Sequence, residues 1–489
     1  MTTVRSSARH IPPAVRLARM RPILYRVVPT AAVLCFLAWC YISLRSNFSS
    51  DDAEPEVLNQ AWRLARGESI YRGIDGPPFA FAAYPPLYYT LVGLLLKLTG
   101  LSYLPAKLVS FLSSLSIGWA MASLSRRWHG TARGGIWAAF FLFLIPAFLY
   151  NAARSNVQMM AVALSLWSLV FFLRDRRLDT AIISPLFAVL AFYTKQSQVA
   201  LPLAMAGYLA LRKRKWLPPY LATAAIAGIV PLLWLQATSA GNFIYDTVQL
   251  ANLAYDVLQI VPIFLHHAGP LFLFMAVALL TSLRRLQAGQ WEPIDFYLAC
   301  VVMTTLISLG RIGAHGQYVL ELLVVTMLYL LRTSGPLLLR GKDMLVSLQI
   351  LFLLTYAPLF IFVEEGLRDT ACDRAAAKIY PLIEKGSGPI LSQQGSFSLF
   401  GRGEIYIQLF HFTALSRAGV WDQEILLEKI ERSAFSWVIT EFPVEDSVLS
   451  ADDRERFTPE MVRALQRNYR RRETIYPYFL YRPRVETGL

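Results

Sequence analysis

Long apolar runs, broken at short intervals by clusters of arginine and lysine, constrain this chain more than any other feature. The stretches 137–149, 157–173 and 345–363 hold no charged residue at all. A helix that crosses a bilayer needs about 20 apolar residues, because ~30 Å of hydrocarbon must be spanned with every backbone group satisfied internally. Hydrophobic residues make up 55% of the chain and charged residues 16%, against about 25% charged in soluble domains. Mean hydropathy is +0.43. That much apolar surface exceeds what a soluble core would hide, and it points to lipid.

The net charge of +14 would suit nucleic acid if it formed one patch. Instead the cations lie between apolar runs: Arg126-Arg127, Arg174 to Arg177, Arg212 to Lys215, Arg284-Arg285 and Arg340 to Lys342. Loops that stay in the cytoplasm have this distribution, and a nucleic-acid footprint does not. The four cysteines, Cys35, Cys40, Cys300 and Cys372, have no zinc or disulfide-framework spacing.

Candidate spans are 27–44, 104–124, 134–150, 157–173, 180–193, 199–211, 218–235, 261–283, 294–309, 318–331 and 344–363. The expected architecture is an α-helical polytopic membrane region of about eleven helices. The basic N-terminus (Arg5, Arg9, Arg16, Arg19, Arg21, Arg26) precedes a first helix without a clear cleavage site, so that helix is expected to be retained. The segment 85–100 is read as interfacial, because counting it as a span would turn every later basic cluster outward. The N-terminus then lies in the cytoplasm. Segments 45–103, 151–156, 194–198, 236–260, 310–317 and the tail from 364 lie on the outer, periplasmic side of the inner membrane. Two domains are expected, a membrane region over 1–363 and an outward soluble α/β domain over 364–489. In the latter, 389–392, 437–440 and 475–481 read as strands, 422–435 as an amphipathic helix, and Thr458 as the cap of a helix running to Tyr469.

The first outward loop carries the chemistry. Asp51, Asp52, Glu54 and Glu56 fall within six residues, just past a span. Such carboxylates serve as a general base, bind a metal, or simply mark the membrane edge. Leu58, Ala61, Trp62 and Ala65 then recur at helical spacing opposite Asn59, Gln60, Arg63 and Arg66, which is an amphipathic surface helix that Gly67 can end. With the interfacial segment opened by Tyr84-Pro85-Pro86-Leu87-Tyr88-Tyr89, it makes a platform at the lipid boundary.

This order of features resembles the bacterial GT-C membrane glycosyltransferases, in particular those related to the protein mannosyltransferases and aminoarabinose transferases (family 39-like). The segment Arg66-Gly67-Glu68-Ser69-Ile70-Tyr71, the Tyr84–Tyr89 run, Tyr193-Thr194-Lys195-Gln196-Ser197 and Gly313-Ala314-His315-Gly316-Gln317-Tyr318-Val319-Leu320-Glu321 carry the resemblance. Arg154-Ser155-Asn156 departs from it, since members often place an acidic residue there; Gln317 stands where Asn is expected.

The resemblance implies a GT-C-like fold and transfer, usually inverting, of a sugar from a polyprenyl-phosphate donor to a glycan, lipid or protein acceptor. Asp51 or Asp52 would act as base. Lys195, Arg154 and Arg311 would meet the donor phosphate. Glu54, Tyr84, Tyr88, His315, Tyr318 and Glu321 would contact substrate. A divalent metal is compatible with clustered carboxylates and a phosphate, and its ligands are not set by the sequence. A transporter or flippase for a lipid-linked sugar, or a non-catalytic assembly subunit, would share the hydropathy. No internal repeat of the kind common in transporters is visible, and the polar residues collect at outer helix ends.

Overall fold

The computed structural model describes residues 30–49, 51–251, 254–334, 349, 352, 353, 355, 356, 359–384, 387–446 and 449–484. The basic N-terminus, the start of the expected first span, the Arg340–Lys342 cluster and half of the expected span 344–363 lie outside the described residues.

The membrane region is helical: α1 (Thr30–Arg45), α2 (Ala53–Ala65), α3 (Leu87–Thr99), α4 (Leu104–His129), α5 (Arg133–Leu142), α6 (Pro146–Asn151), α7 (Gln158–Leu173), α8 (Ser184–Thr194), α9 (Ala200–Arg212), α10 (Leu217–Thr238), α11 (Ile260–Ala268), α12 (Phe272–Gln287), α13 (Pro293–Leu309) and α14 (Leu320–Ser334). Among the described residues, three helical segments are long and apolar enough to cross a membrane alone: Leu104–His129, Arg214–Thr238 and Val257–Gln287. Six more apolar helices are shorter, at 10–17 residues. The large exposed side chains of α10, Ile226, Ile229, Val230, Leu233 and Trp234, have no protein to pack on and suit lipid.

Local chemistry sets the ends. Arg126, Arg127 and His129 occupy the last turn of α4, where cations complement the helix dipole, and Gly130 (φ 73) closes it in the left-handed conformation. The α4–α5 crossing is close: a Cβ on Gly135 would sit 2.2 Å from the Met121 carbonyl oxygen. The expected single span 134–150 is in fact two helices. Pro146 drives Ile145 into an extended conformation (ψ 120), so α5 stops and α6 begins afresh. Segment 85–100 forms α3, whose 13 residues reach only ~20 Å and pack along α2.

Every connection expected on the outer side meets its neighbours at one end of the bundle. Gln196 links 194–198 to Ala83 and Thr247. Arg154 links 151–156 to Glu54 and Asp369. Tyr255 pairs with Arg311 across two further connections.

Helix α15 (Gly366–Ile383) leads into the tail, which adds α16 (Gly395–Arg402), α17 (Leu409–Arg417), α18 (Glu424–Glu431), α19 (Ala451–Arg456) and α20 (Pro459–Asn468). Its four strands, β1 (Ile390–Ser392), β2 (Trp437–Thr440), β3 (Tyr469–Ile475) and β4 (Tyr478–Pro483), are ordered β1-β2-β4-β3. Strands β1 and β2 are parallel and wholly buried; the β2–β4 and β3–β4 pairs are antiparallel. The expected closing strand 475–481 is instead the turn and second arm of a hairpin, because Tyr476-Pro477 interrupts the run. Thr458 caps α20 as expected, accepting from the Met461 amide at 3.3 Å. The first outward loop is built into the tail's core: Phe79 and Phe81 pack with Phe412 and Trp421, and Phe48 with Phe397 and Tyr478.

Candidate active site

The chain leaves α1 under tight control. Buried Lys107 of α4 donates to the carbonyls of Ser43 (2.8 Å) and Ser46 (3.0 Å), satisfying the end of α1. The acidic run follows at once, and its four carboxylates diverge. The Ala53 amide donates to Asp51 Oδ1 at 2.8 Å, and the Tyr150 hydroxyl lies 3.5 Å from Oδ2. Asp52 precedes α2 without capping it, so its carboxylate turns toward the tail, where Arg456 Nε donates to Oδ2 at 2.5 Å. Burial, Glu441 and Asp51 push the Asp52 carboxyl up to about 7, although Arg456 opposes them.

Glu54 is buried and fully engaged. It accepts from Ser49 Oγ (3.0 Å), the Ser155 amide (2.7 Å) and Arg154 (3.0 Å). The other Arg154 amino group donates to Asp369 of α15 at 2.5 Å. The guanidinium also stacks on Tyr150 (4.5 Å) and Trp39 (5.4 Å). Both amino groups of Arg154 are thus taken up by carboxylates, and Glu54 and Arg154 together join α1, the first loop, the 151–156 connection and the tail. Tyr88 is likewise internal, its hydroxyl donating to the Ala106 carbonyl at 3.1 Å and holding α3 on α4.

A second group lies around Lys195, which follows α8 in an extended conformation. Its side chain is buried, and Nζ has no hydrogen-bond partner among the described residues. Nζ sits 4.0 Å from the centre of the Tyr318 ring and 5.5 Å from that of Tyr84. Gln196 fixes this position by donating to the carbonyls of Ala83 (2.8 Å) and Thr247 (2.9 Å). Glu321 is buried on α14, accepts from Tyr297 at 2.7 Å, and lies within electrostatic reach of Lys195, as does Arg311. Arg311 is half-buried; its backbone pairs with Tyr255, and its carbonyl accepts from Gln259 at 2.6 Å. His315 is exposed, with its ring 6.2 Å from that of His267.

The tail closes the space between the two groups. Glu56 pairs with His411 Nδ1 at 3.3 Å and lies within electrostatic reach of Tyr84 and Tyr89. A narrow cleft is lined by Asp52, Glu56, Gln393, Gln408, Phe410 and Arg456. Its wall is held by Gln408, which exchanges hydrogen bonds with the Phe81 amide and carbonyl, each at 3.2 Å. His411, Gln408 and Arg456 carry no local motif in the sequence. Glu56 was visible as part of the acidic run, but only its place one turn along α2 turns it toward Tyr84.

Arg456 holds Asp52, Arg154 holds Glu54 and His411 faces Glu56. Among the described residues no three His, Cys, Asp or Glu side chains converge.

Residues 83–236 match the family model described as dolichyl-phosphate-mannose-protein mannosyltransferase. That stretch includes Tyr84, Arg154 and Lys195 and stops short of the acidic run and the tail. Over nearly the whole chain, the structure matches ArnT from Cupriavidus metallidurans bound to undecaprenyl phosphate. The TM-score is 0.62 at 13% identity, covering 93% of this chain and 98% of that one. This is the GT-C fold. The apo form of the same ArnT matches at a TM-score of 0.61 and 12% identity, over 92% of this chain and 96% of that one. The Archaeoglobus fulgidus oligosaccharyltransferase tethered with an acceptor peptide matches at 0.52 and 11% identity, over 90% of this chain and 72% of that one. No curated protein matches at the level of sequence. The GT-C match covers 93% of this chain, so the tail and the 45–103 loop belong to one architecture with the helices.

Proposed function

We propose that this protein is a glycosyltransferase that moves a sugar from a polyprenyl-phosphate donor to an acceptor at the outer face of the cytoplasmic membrane. The observation that carries the reading is Lys195: a buried amine with no hydrogen-bond partner among the described residues, set between two tyrosine rings at the same end of the bundle as the acidic loop, and pushed down to about 7 by burial and by Arg311. A buried ammonium is costly unless something completes its shell, and a phosphate oxygen does so.

In this reading the donor's phosphate lies against Lys195, with Arg311 adding positive potential and Tyr318 and Tyr84 flanking it. The acceptor hydroxyl enters from the cleft of Asp52, Glu56 and Gln408. Its oxygen attacks the anomeric carbon as the bond from that carbon to the phosphate oxygen breaks. The hydroxyl proton passes to a first-loop carboxylate, and polyprenyl phosphate leaves with the electron pair. Asp52 is the base we favour over Asp51, since its raised pKa suits proton transfer near neutrality. It becomes available when Arg456 swings away. Glu321 holds Lys195 by its charge, and Glu54 with Arg154 keeps the acidic loop in place.

The test uses membranes containing the full chain and a radiolabelled polyprenyl-phosphate sugar. Transfer is expected from the wild type and is expected to fall by about 100-fold or more in Asp52→Asn. Full transfer by well-folded Asp51→Asn and Asp52→Asn variants would remove both from the mechanism. Flux of intact donor across vesicles, without transfer, would replace the reading with a transporter.

A further inference from the structure

Another cleft lies at the opposite end of the bundle from Lys195. Helix α9 starts beside the Lys195 connection and ends at Arg212, while α13 starts at Pro293 and returns toward Arg311. Between these far ends opens a cleft of about 510 Å³ lined by Tyr208, Arg212, Lys213, Arg285, Trp291 and Glu292. It uses none of the residues of the candidate active site.

Its walls are built. One amino group of Arg212 donates to the Gly289 carbonyl at 2.8 Å, and the guanidinium lies 5.6 Å from the centre of the Trp291 ring. Trp291 is fixed in turn, its indole N–H donating to the Leu286 carbonyl at 2.9 Å and its ring 5.5 Å from Phe296. Arg285 pairs with Glu292 at 3.0 Å, and Arg332 grips the same carboxylate through two bonds of 2.8 Å. Among the described residues, Lys213 pairs with the exposed Asp175, at 2.6 Å. Among the described residues, Arg212 therefore keeps N–H groups for a further acceptor, and Lys213 can leave a solvent-screened partner for a better one. Near the cleft, Leu211 of α9 and Leu280 and Leu283 of α12 stand exposed. Cations and an indole at the level of helix ends, with bare leucines beside them, match the chemistry of a phospholipid: phosphate above, acyl chains below.

We propose that this cleft binds the phosphodiester headgroup of an anionic phospholipid in the leaflet opposite the candidate active site. Arg212 and Lys213 meet the phosphate, Trp291 lies at headgroup depth, and the acyl chains lie along the exposed leucines. The site is independent of the proposed transfer reaction.

The test is native mass spectrometry of the full chain released from nanodiscs of mixed phosphatidylglycerol and phosphatidylcholine. The wild type is expected to retain phosphatidylglycerol selectively. The Arg212→Ala/Lys213→Ala variant is expected to lose that retention by about tenfold or more. The Arg214→Ala/Lys215→Ala variant removes the same charge just outside the cleft and is expected to retain lipid as the wild type does. Equal loss in both variants would mean diffuse attraction and overturn the site, as would retention of both lipids alike. Displacement of the lipid by millimolar inorganic phosphate would show a site for a soluble anion and also overturn the proposal.

Discussion

Arg456 and Asp52, 404 residues apart in the chain, meet through a 2.5 Å bond from the guanidinium Nε to the carboxylate. The pair joins the tail to the acidic loop, and it bears directly on proton transfer. Asp52 is held up to about 7 mainly by burial, and Arg456 is the cation that limits the rise. If ionised Asp52 is the base, transfer should increase with pH through about 7 and then level off. Arg456→Gln removes the opposing charge, so the limb should move to higher pH by roughly one unit or more. Arg456→Lys should keep most of the wild-type profile. A pH series of transfer rates reads this directly; a lowered plateau with an unmoved limb would count against Asp52.

Arg154 should matter for stability more than for donor binding. Arg154→Met leaves the buried Glu54 and Asp369 without their shared guanidinium. The cost expected from breaking a buried pair is about 3–5 kcal/mol. Thermal unfolding in detergent should show a large fall, partly recovered in the Arg154→Met/Glu54→Gln double variant.

Lys195 should behave in the opposite way. Among the described residues its Nζ has no hydrogen bond to lose, so Lys195→Met should leave the unfolding temperature unchanged or raise it. Donor binding should weaken by about 10–100-fold, from loss of the phosphate contact. A variant that unfolds instead would mark Lys195 as a structural residue.

Gly135→Ala should be among the most damaging small substitutions. Its methyl group would meet the Met121 backbone at 2.2 Å and force α4 and α5 apart. Gly228→Ala serves as a control, since a Cβ there meets nothing within 4 Å. Thermal unfolding should separate the two clearly.

The helical membrane architecture, the common end shared by the outer connections and the strands at 390–392 and 437–440 were legible because hydropathy, basic loops and turn residues act locally. The break at Ile145-Pro146 does not show in hydropathy, because the apolar run continues through it; the proline is its local sign. The hairpin of β3 and β4 was masked by the three arginines of β3, whose exposed edge position needs no apolar alternation. Around the candidate site, Lys195 stood out as a cation at a helix end. The pairing of Arg154 with two carboxylates depends on folding partners 100 and 215 residues away, and nothing local encodes it. Arg456, Gln408 and His411 were invisible for the same reason.

The strand-like pairing of Phe79 with Ile407, reinforced by Gln408 and the buried Phe79 and Phe81 rings, gives the tail and the membrane helices a common seam. Two parts stitched in this way cannot be inherited or exchanged separately. A chimera that takes its tail from a relative, but keeps this first loop, keeps the seam only if that tail supplies matching partners for Phe79, Phe81 and Asp52. Grafting the loop and tail together preserves them, so in this architecture the portable unit is discontinuous in the gene.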